Sequence, residues 1–358
     1  AVSGEIHDAL KGCDPMDQEG IDLELIKLDG TNNRSRLGGN ALVATSMALA
    51  HAAAASVGLP LWRYLGGGRA DYAMPLPEIQ IFGGGAHAGR RVDIQDFMVI
   101  AIGAPNYRKS LEWIAEVYRS AGKLMGEAGK LAGVADEGGF WPNFNANEEA
   151  LDFLLRAIEG AGFTPGLEVA ISLDIAATDF GKGGKYKLAT DNKVIDSDGL
   201  SEILLNWLEK YPIVSIEDPL GEDDPEAMTK FTLAAGPKVE VVADDFICTS
   251  ATKIEYAASI SACNTALIKP NQAGTLTEAK AALEAARVAG WDSIVSARSG
   301  ESEDLTIVHL AVGWGVKQLK VGSFSRSERM AKWNEGLRIA ENLENKEFDL
   351  HSRDTFPW

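Results

Sequence analysis

Nine short runs rich in valine, isoleucine and leucine recur along the sequence between residues 78 and 324. They cover residues 78–84, 96–103, 133–139, 169–176, 213–219, 239–245, 265–271, 293–300 and 318–324. Most are separated by longer amphipathic stretches, and apolar strands that alternate with helices are typical of a parallel sheet covered by helices. The pattern predicts an α/β fold, for which a TIM-like (β/α)8 barrel is favoured.

The connections between the runs decide between a barrel and an open doubly wound sheet. Helices are predicted over residues 148–162, 198–210, 251–260, 276–289 and 303–314. No run is followed by the glycine patterns GxGxxG or GxxxxGK(S/T), which argues against an open nucleotide-binding sheet. The first two runs are joined by a glycine-rich segment too short for a full helix, so we expect the barrel to begin with an irregular, antiparallel strand pair.

Residues 1–72 have a different pattern, which is mainly helical. Val43, Met47 and Ala50 recur at helical spacing, and the glycines after Leu65 end this region. We therefore expect two domains, a helical domain over residues 1–72 and a barrel domain over residues 73–358.

Composition excludes several classes of partner. The formal net charge is -18 and no run of lysine or arginine is present, which argues against nucleic acid or an anionic membrane surface as a partner. No apolar stretch approaches the roughly 20 residues of a membrane span. Cys13, Cys248 and Cys263 show no paired spacing, which fits the reducing cytoplasm.

In six successive runs the apolar stretch leads into a charged residue, which we take as the end of the strand. These residues are Asp174, Glu217, Asp244, Lys269, Arg298 and Lys320. In a parallel barrel the carboxyl ends of all strands meet at one face, where active sites lie. Because three acids precede three bases, we expect the mouth of the barrel to have an acidic half and a basic half.

The three acids are candidate metal ligands. Carboxylates from adjacent strands suit Mg²⁺, which prefers oxygen ligands, so Asp174, Glu217 and Asp244 are the predicted set. Asp245 competes for the third position, although strand alternation puts Asp244 on the face of Val242 and turns Asp245 away. Zinc is disfavoured because no histidine or cysteine ends a run in this half.

The remaining candidates suit acid–base chemistry on an anion. Partial burial of Lys269 near other cations predicts a lowered pKa and a general base, and the alternative is a salt bridge to the acids opposite. Arg298, Ser299 and Lys320 offer donors to an oxyanion or phosphate. Glu137, beside two glycines, is placed to protonate a leaving group across the cavity. The set predicts removal of a proton next to a carboxylate, followed by loss of a leaving group.

Ordered motifs along nearly the whole chain resemble the enolase family. They are LDGTNNRSRLGGNALVATSMALAHAAAASVGLPLWRYLGG, DEGGF, LDIAATDF, SIEDPLGEDD, VADD, KPNQAGTL, SARSGESED and RSERMAKWNEGLRI. The resemblance implies the reversible dehydration of 2-phosphoglycerate to phosphoenolpyruvate, a homodimer and Mg²⁺ as cofactor. A lysine or histidine base with one or two Mg²⁺ ions is the known arrangement of this superfamily.

The resemblance also implies roles for single residues. Lys269 matches the base that removes the C2 proton, and Glu137 matches the acid that assists departure of the C3 hydroxyl. The implied Mg²⁺ ligands are Asp174, Glu217 and Asp244. The implied substrate-binding residues are His87, Gln95, Asp96, Arg298, Ser299 and Lys320.

Three departures from the family pattern keep other functions open. Ala297 stands where the family has histidine, and Asp96 stands where it has glutamate. The family's N-terminal strands and lid loop are not matched, so we expect the chain to begin inside that domain. One alternative is an enolase paralogue that dehydrates a related phosphonate or carboxyphosphono acid. Another is a non-catalytic binding protein on the same fold.

Overall fold

A computed structural model describes residues 1–343, 350–351 and 356 of the chain, so part of the predicted barrel domain after residue 343 lies outside the description. The described strands are β1 (Leu76–Gly83), β2 (Asp96–Ile100), β3 (Leu131–Val134), β4 (Phe140–Pro142), β5 (Ala170–Asp174), β6 (Gly181–Lys182), β7 (Lys185–Leu188), β8 (Lys193–Asp196), β9 (Ile213–Glu217), β10 (Glu240–Ala243), β11 (Thr265–Ile268), β12 (Asp292–Ser296) and β13 (Gln318–Gly322).

The α-helices lie before the barrel and between its strands. They are α1 (His7–Leu10), α2 (Gln18–Asp29), α3 (Gly39–Ser56), α4 (Leu61–Leu65), α5 (Tyr107–Glu127), α6 (Asn147–Gly160), α7 (Ser197–Lys210), α8 (Pro225–Ala235), α9 (Ala251–Ser259), α10 (Pro270–Ala273), α11 (Leu276–Val288), α12 (Thr306–Trp314) and α13 (Ser327–Asn342). The five predicted helices correspond to α6, α7, α9, α11 and α12. No described helix is long and apolar enough to cross a membrane.

Eight strands close into a barrel in the order β1, β2, β5, β9, β10, β11, β12 and β13, and β13 pairs with β1. Strand β2 runs antiparallel to both of its neighbours, whereas the other neighbouring pairs are parallel. The segment between β1 and β2 has room for one 3₁₀ turn, Gly85–Ala88, so the chain returns without a crossover helix. The predicted α/β barrel with an antiparallel start is confirmed.

One predicted run is not a barrel strand. Residues 131–134 form the exposed strand β3, which pairs with β4 in a small hairpin attached to β1 through Phe82 and Phe140. The segment that follows, with its acids and Gly138 and Gly139, is a turn. The prediction of a barrel strand here is wrong, because a short apolar stretch next to glycines also suits a hairpin and a turn. The turn places Glu137 at the barrel mouth.

Side-chain caps fix where the outer helices begin. The cap residues of α7, α8, α9 and α11 each accept a hydrogen bond from a backbone N–H in the first turn, and they are Asp196, Asp224, Ser250 and Thr275. The apolar core lies between these helices and the outer face of the strands.

The inside of the barrel is filled in layers. Val242, Leu267 and Ile294 form an apolar cluster on one side. Leu76 and Ile100 belong to a second apolar cluster at the opposite end from the mouth. A buried polar layer lies below the mouth and consists of Glu78, Ser172, Ser215, Glu240 and Gln318.

The N-terminal helices pack on the barrel through α11. The Ser46 hydroxyl accepts the N–H of Leu276 at 2.9 Å, and the Asp22 carboxylate accepts the N–H of Thr277 at 2.9 Å. Both contacts satisfy donors in the first turn of α11, where the helix dipole favours a negative charge. In α3, Val43 and Ala50 are buried, as their helical spacing predicts.

Candidate active site

A cavity of about 400 Å³ opens at the carboxyl ends of the barrel strands. Nine of the eleven predicted site residues line it, namely His87, Gln95, Glu137, Asp174, Asp244, Lys269, Arg298, Ser299 and Lys320. The other two, Asp96 and Glu217, are buried beneath the cavity and lie beside Lys320. The fold thus brings residues from nine segments of the chain to one place.

Lys320 is the central cation of the mouth. Its Nζ lies 2.8 Å from Asp174, 2.7 Å from Glu217 and 3.6 Å from Asp96. Burial alone lowers the pKa of Lys320, but these carboxylates outweigh burial and hold the pKa well above its usual value. Three carboxylates share one ammonium group, and burial with this crowding raises the pKa of both Asp96 and Glu217.

Lys269 forms an ion pair with one oxygen of Asp244, and the Gln272 amide donates to the other oxygen at 2.8 Å. Burial lowers the pKa of Lys269, but the charges of Asp244 and Glu217 outweigh burial, so the net pKa is raised. The predicted lowering of this pKa is wrong, and the alternative of a salt bridge to an acid is what the structure contains. Sequence spacing could not reveal this pairing because it depends on side-chain approach.

The expected division into an acidic and a basic half is also wrong. Lys320 on β13 reaches across to Asp174 on β5, and Lys269 lies against Asp244. Separate halves would bury like charges together, and each charge would then lack the partner that offsets its desolvation. Acids and lysines are therefore paired with one another across the mouth.

A compact group of acids lies on the rim beside β9 and β10. Oxygens of Asp218, Asp244 and Asp245 lie within 4.8 Å of one another. Asp218 has a left-handed φ of 42° and accepts the backbone N–H groups of Asp244 and Asp245 at 2.9 and 2.8 Å. Burial and the nearby Asp244 raise the pKa of Asp245 to about 6. Sequence reasoning missed Asp218, although it directly follows Glu217.

Asp245 lines the cavity, so the expectation that its side chain points away from the mouth is wrong. Strand β10 ends at Ala243, and the alternation of faces does not continue into the turn that follows. Val242 is buried in a small apolar cluster with Leu267 and Ile294.

The predicted ligands are divided between two lysines. Asp174 and Glu217 meet at Lys320, whereas Asp244 pairs with Lys269 and belongs to the rim group. Among the described residues, Oε1 of Glu217 is buried without a hydrogen-bond partner. An unsatisfied carboxylate oxygen and donors that are all oxygens fit Mg²⁺.

Glu137 lies in a hydrogen-bonded chain with two other predicted residues. The Ser299 hydroxyl donates to Glu137 Oε1 at 2.6 Å, and His87 Nε2 lies 3.1 Å from the same hydroxyl. The backbone oxygen of Glu137 accepts the N–H of Ser323 at 2.8 Å. A Cβ at Gly322 would lie 2.5 Å from that oxygen, so this approach requires glycine.

Two buried cations of α13 hold the loop that carries Arg298 and Ser299. Arg329 donates to the backbone oxygens of Arg298 at 2.7 Å and of Ser299 at 2.5 Å. Lys332 donates to the backbone oxygen of Ser302 at 2.7 Å. Sequence reasoning assigned no role to Arg329 or Lys332, although both lie in the quoted RSERMAKWNEGLRI motif.

The Arg298 side chain differs from the other cations of the site. It is exposed at the mouth, and among the described residues its guanidinium has no hydrogen-bond or ion-pair partner. A free guanidinium is suited to bidentate binding of a phosphate or carboxylate. Ala297, which precedes it, is buried and also lines the cavity.

Gln95 and Asp96 lie at the start of strand β2, Gln95 directly before it and Asp96 as its first residue. The Gln95 amide donates to Asp174 at 2.8 Å. Asp96 is fully buried, accepts a hydrogen bond from Gln80 and lies beside Lys320. Gln95 thus contacts a proposed ligand at the cavity wall, whereas Asp96 contacts Lys320 below it.

Two protein-family models match the chain. Residues 71–353 match the family described as Enolase, C-terminal TIM barrel domain. Residues 1–65 match the family described as Enolase, N-terminal domain. The chain therefore belongs to the enolase family, which places it among the hydro-lyases of the enolase superfamily.

Proposed function

We propose that the protein catalyses the reversible dehydration of 2-phospho-D-glycerate to phosphoenolpyruvate, a step of glycolysis and gluconeogenesis. The observation that carries the proposal is that Lys269 and Glu137 line one cavity with Arg298, whose guanidinium has no partner among the described residues. Membership of the enolase family supports the same reaction class.

In the proposed reaction Lys269 accepts the proton from C2. The electrons of the C2–H bond form the new C2–C3 double bond, and the C3 hydroxyl leaves as water with the proton of Glu137. For Lys269 to act as a base it must first be neutral, which Asp244 opposes as long as its charge faces the ammonium group. A ligand that takes up the charge of Asp244 lowers this barrier.

We propose Mg²⁺ as the cofactor, with Asp174, Glu217 and Asp244 as its protein ligands. Mg²⁺ held there supplies positive charge to the carboxylate of the substrate. Asp245 lies close enough to Asp244 to compete as a ligand, since both belong to the rim group.

The proposed substrate contacts follow from the free donors of the cavity. Arg298 binds the phosphate through its unpaired guanidinium, with the backbone of Ser299 beside it. Lys320 keeps its proton and adds positive charge beneath the substrate. Gln95 and Asp96 orient the charged groups, and His87 lies at the rim of the cavity.

The test is an assay with 2-phosphoglycerate and Mg²⁺, followed by the absorbance of the enol product. Lys269→Ala should abolish exchange of the C2 proton with solvent and leave Mg²⁺ binding largely intact, because the variant removes the base and no metal ligand. Lys253→Ala, at an exposed position of α9, is the matched control and should keep wild-type exchange. Absence of turnover by the wild-type protein would refute the proposal, and exchange that persists in Lys269→Ala would place the base elsewhere.

A second candidate is dehydration of a related phosphonate or carboxyphosphono acid. The observation that favours it is Ala297, a small residue in the cavity wall next to the proposed phosphate site. Comparison of kcat/KM for the two substrate classes decides between them, and a large gain with 2-phosphoglycerate in Ala297→His would favour the second candidate.

Three further properties are proposed: the division into domains, the location in the cell and the oligomeric state. The division into domains at residues 1–72 and 73–358 follows the change of sequence pattern. The three free cysteines fit a cytoplasmic location. The resemblance to the family suggests a homodimer, which light scattering of the purified protein tests.

A further inference from the structure

The loop after strand β12 carries Arg298, whose side chain is exposed and has no partner among the described residues. Residues 297–305 form neither helix nor strand, so no regular secondary structure fixes the backbone here. A long side chain has many rotamers, and the direction in which it leaves the backbone is set by the peptide groups on both sides of its Cα. Whatever holds those two peptide groups therefore decides where the guanidinium of Arg298 can bind an anion.

Successive backbone groups of this loop are held by partners from elsewhere. The N–H of Ala297 donates to the backbone oxygen of Lys320 at 2.9 Å. The N–H of Arg298 donates to Oε1 of Glu301 at 3.0 Å, and the backbone oxygen of Arg298 accepts from Nη1 of Arg329 at 2.7 Å. Both peptide groups that flank the Cα of Arg298 are thus fixed by side-chain contacts.

Arg329 contacts more than one part of the mouth. Its side chain is fully buried, and its guanidinium also donates to the backbone oxygens of Ser299 at 2.5 Å and Val321 at 2.8 Å. Val321 follows Lys320 on β13, so one guanidinium joins the loop to the strand that supplies the central cation of the mouth. The planar guanidinium holds its donors in a fixed fork, which the rotatable donors of a lysine do not reproduce.

Lys332 supports the other side of the loop from one turn further along α13. Its buried Nζ donates to the backbone oxygen of Ser302 at 2.7 Å and lies 3.0 Å from Oε2 of Glu301. Glu301 therefore has one oxygen on Lys332 and the other on the N–H of Arg298. A carboxylate that is held at both oxygens keeps its position, and so does the peptide group that it accepts.

We propose that Arg329, Lys332 and Glu301 are positioning residues that fix the direction of Arg298 toward the phosphate of the substrate, an inference that rests on the proposed function. None of these three residues lines the cavity of the mouth, so they act through Arg298 and do not touch the substrate. A change at these positions leaves the charge of Arg298 in place but loosens its direction. The defect then falls on binding of the phosphate rather than on the chemical step.

The test measures KM and kcat for 2-phosphoglycerate with Mg²⁺, and the Kd of inorganic phosphate by calorimetry. Arg329→Lys keeps the positive charge and loses the fork, so KM and the phosphate Kd should rise about tenfold or more while kcat changes by less than about twofold. Glu301→Ala, at a partly exposed position, removes the acceptor of the Arg298 N–H and should raise both constants about threefold or more. If Arg329→Lys does not fold, Glu301→Ala carries the test.

Each variant has a matched control, because the same change is made where no contact to Arg298 exists. Arg338→Lys alters an exposed arginine of α13, and Glu303→Ala removes an exposed acid of the same loop. Both should keep the wild-type constants. Arg298→Ala should abolish phosphate binding, which assigns the measured Kd to this site.

Other patterns would overturn the positioning role. Wild-type constants in Arg329→Lys would mean that the charge alone matters, and wild-type constants in Glu301→Ala would mean that the Arg298 peptide needs no acceptor. A lower kcat with an unchanged KM would place the effect outside phosphate binding. Absence of phosphate binding by the wild-type protein would also overturn the inference. Phosphate binding through Arg298 without turnover of 2-phosphoglycerate would instead refute the proposed function, and the phosphate constants would then decide the positioning role by themselves.

Discussion

The mouth of the barrel and the polar layer beneath it both contain buried acids, but the partners of these acids differ. In the mouth, Asp174 and Glu217 lie against the ammonium group of Lys320. In the layer below, Glu78 and Glu240 have no ion-pair partner among the described residues. Ser172 donates to Glu78, and the Gln318 amide donates to Glu240 at 2.6 Å.

Burial raises carboxyl pKa values in both regions, and in the mouth the charge of Lys320 opposes the rise. Burial raises the pKa of Glu78, and it raises the pKa of Glu240 to about 8. Oε2 of Glu240 and Oε1 of Gln318 have no hydrogen-bond partner in the described part of the chain. A proton on Glu240 removes the buried charge that desolvation disfavours and turns the acid into a donor. An acid of the mouth has a lysine whose charge lowers its pKa against the effect of burial, whereas Glu240 has hydrogen bonds alone to do so.

The largest effect is expected for Lys320→Met. The change leaves Asp96, Asp174 and Glu217 buried without their shared cation, and loss of one partner from a buried pair costs about 3–5 kcal/mol. Urea unfolding without metal measures the free energy of unfolding. Lys317→Met is the matched control, because its pair with Asp292 is partly exposed and worth at most about 1 kcal/mol. Equal losses in the two variants would remove the distinction between the mouth and an ordinary surface pair.

An intermediate effect is expected for the pH dependence of stability. The pKa of Glu240 is about 8 in the folded protein, above its ordinary value of 4.5, so the folded state binds the extra proton between these values. The stabilisation is complete below pH 4.5 and is lost as the pH rises towards 8, by up to about 1.4 kcal/mol per pH unit. Glu240→Gln mimics the neutral acid, so the variant should be more stable than the wild type at pH 9.

The pH dependence is measured by urea unfolding at pH 5, 7 and 9. Glu240→Gln should flatten the curve over this range, whereas the exposed control Glu202→Gln should keep the wild-type curve. Parallel curves for the wild type and Glu240→Gln would show that Glu240 is ionised in the folded protein.

The smallest effect is expected for Glu78→Gln at pH 7. An amide has the shape of the carboxyl group, its oxygen still accepts the Ser172 hydroxyl, and burial already raises the pKa of Glu78. The free energy of unfolding should change by less than about 1 kcal/mol. A loss of several kcal/mol would mean that Glu78 is an anion that pairs with Lys320, and the contrast between the two layers would then fail at this residue.

The sequence alone predicted the architecture well. It did not predict contacts that depend on how closely particular groups approach one another in the fold. Eight of the nine predicted runs are barrel strands, and the antiparallel start followed from the short link between β1 and β2. The run at 133–139 was misread, because local apolar content does not distinguish a hairpin and turn from a barrel strand. Nothing in the sequence indicated the role of Arg329, because it donates hydrogen bonds to backbone oxygens that come together only in the folded loop.

The amino-acid order by itself determined that charged residues lie in or just after successive strands and that closure of the barrel gathers them at one face, although Lys320 lies within β13 rather than at its end. Periodicity and strand direction are local properties, and they are sufficient for that conclusion. Only the tertiary structure decided which acid meets which lysine, that Lys269 has a raised rather than a lowered pKa, and that Asp218 joins Asp244 and Asp245. Electrostatic energy depends on distances of a few ångströms between residues far apart in the chain, and those distances are set by packing.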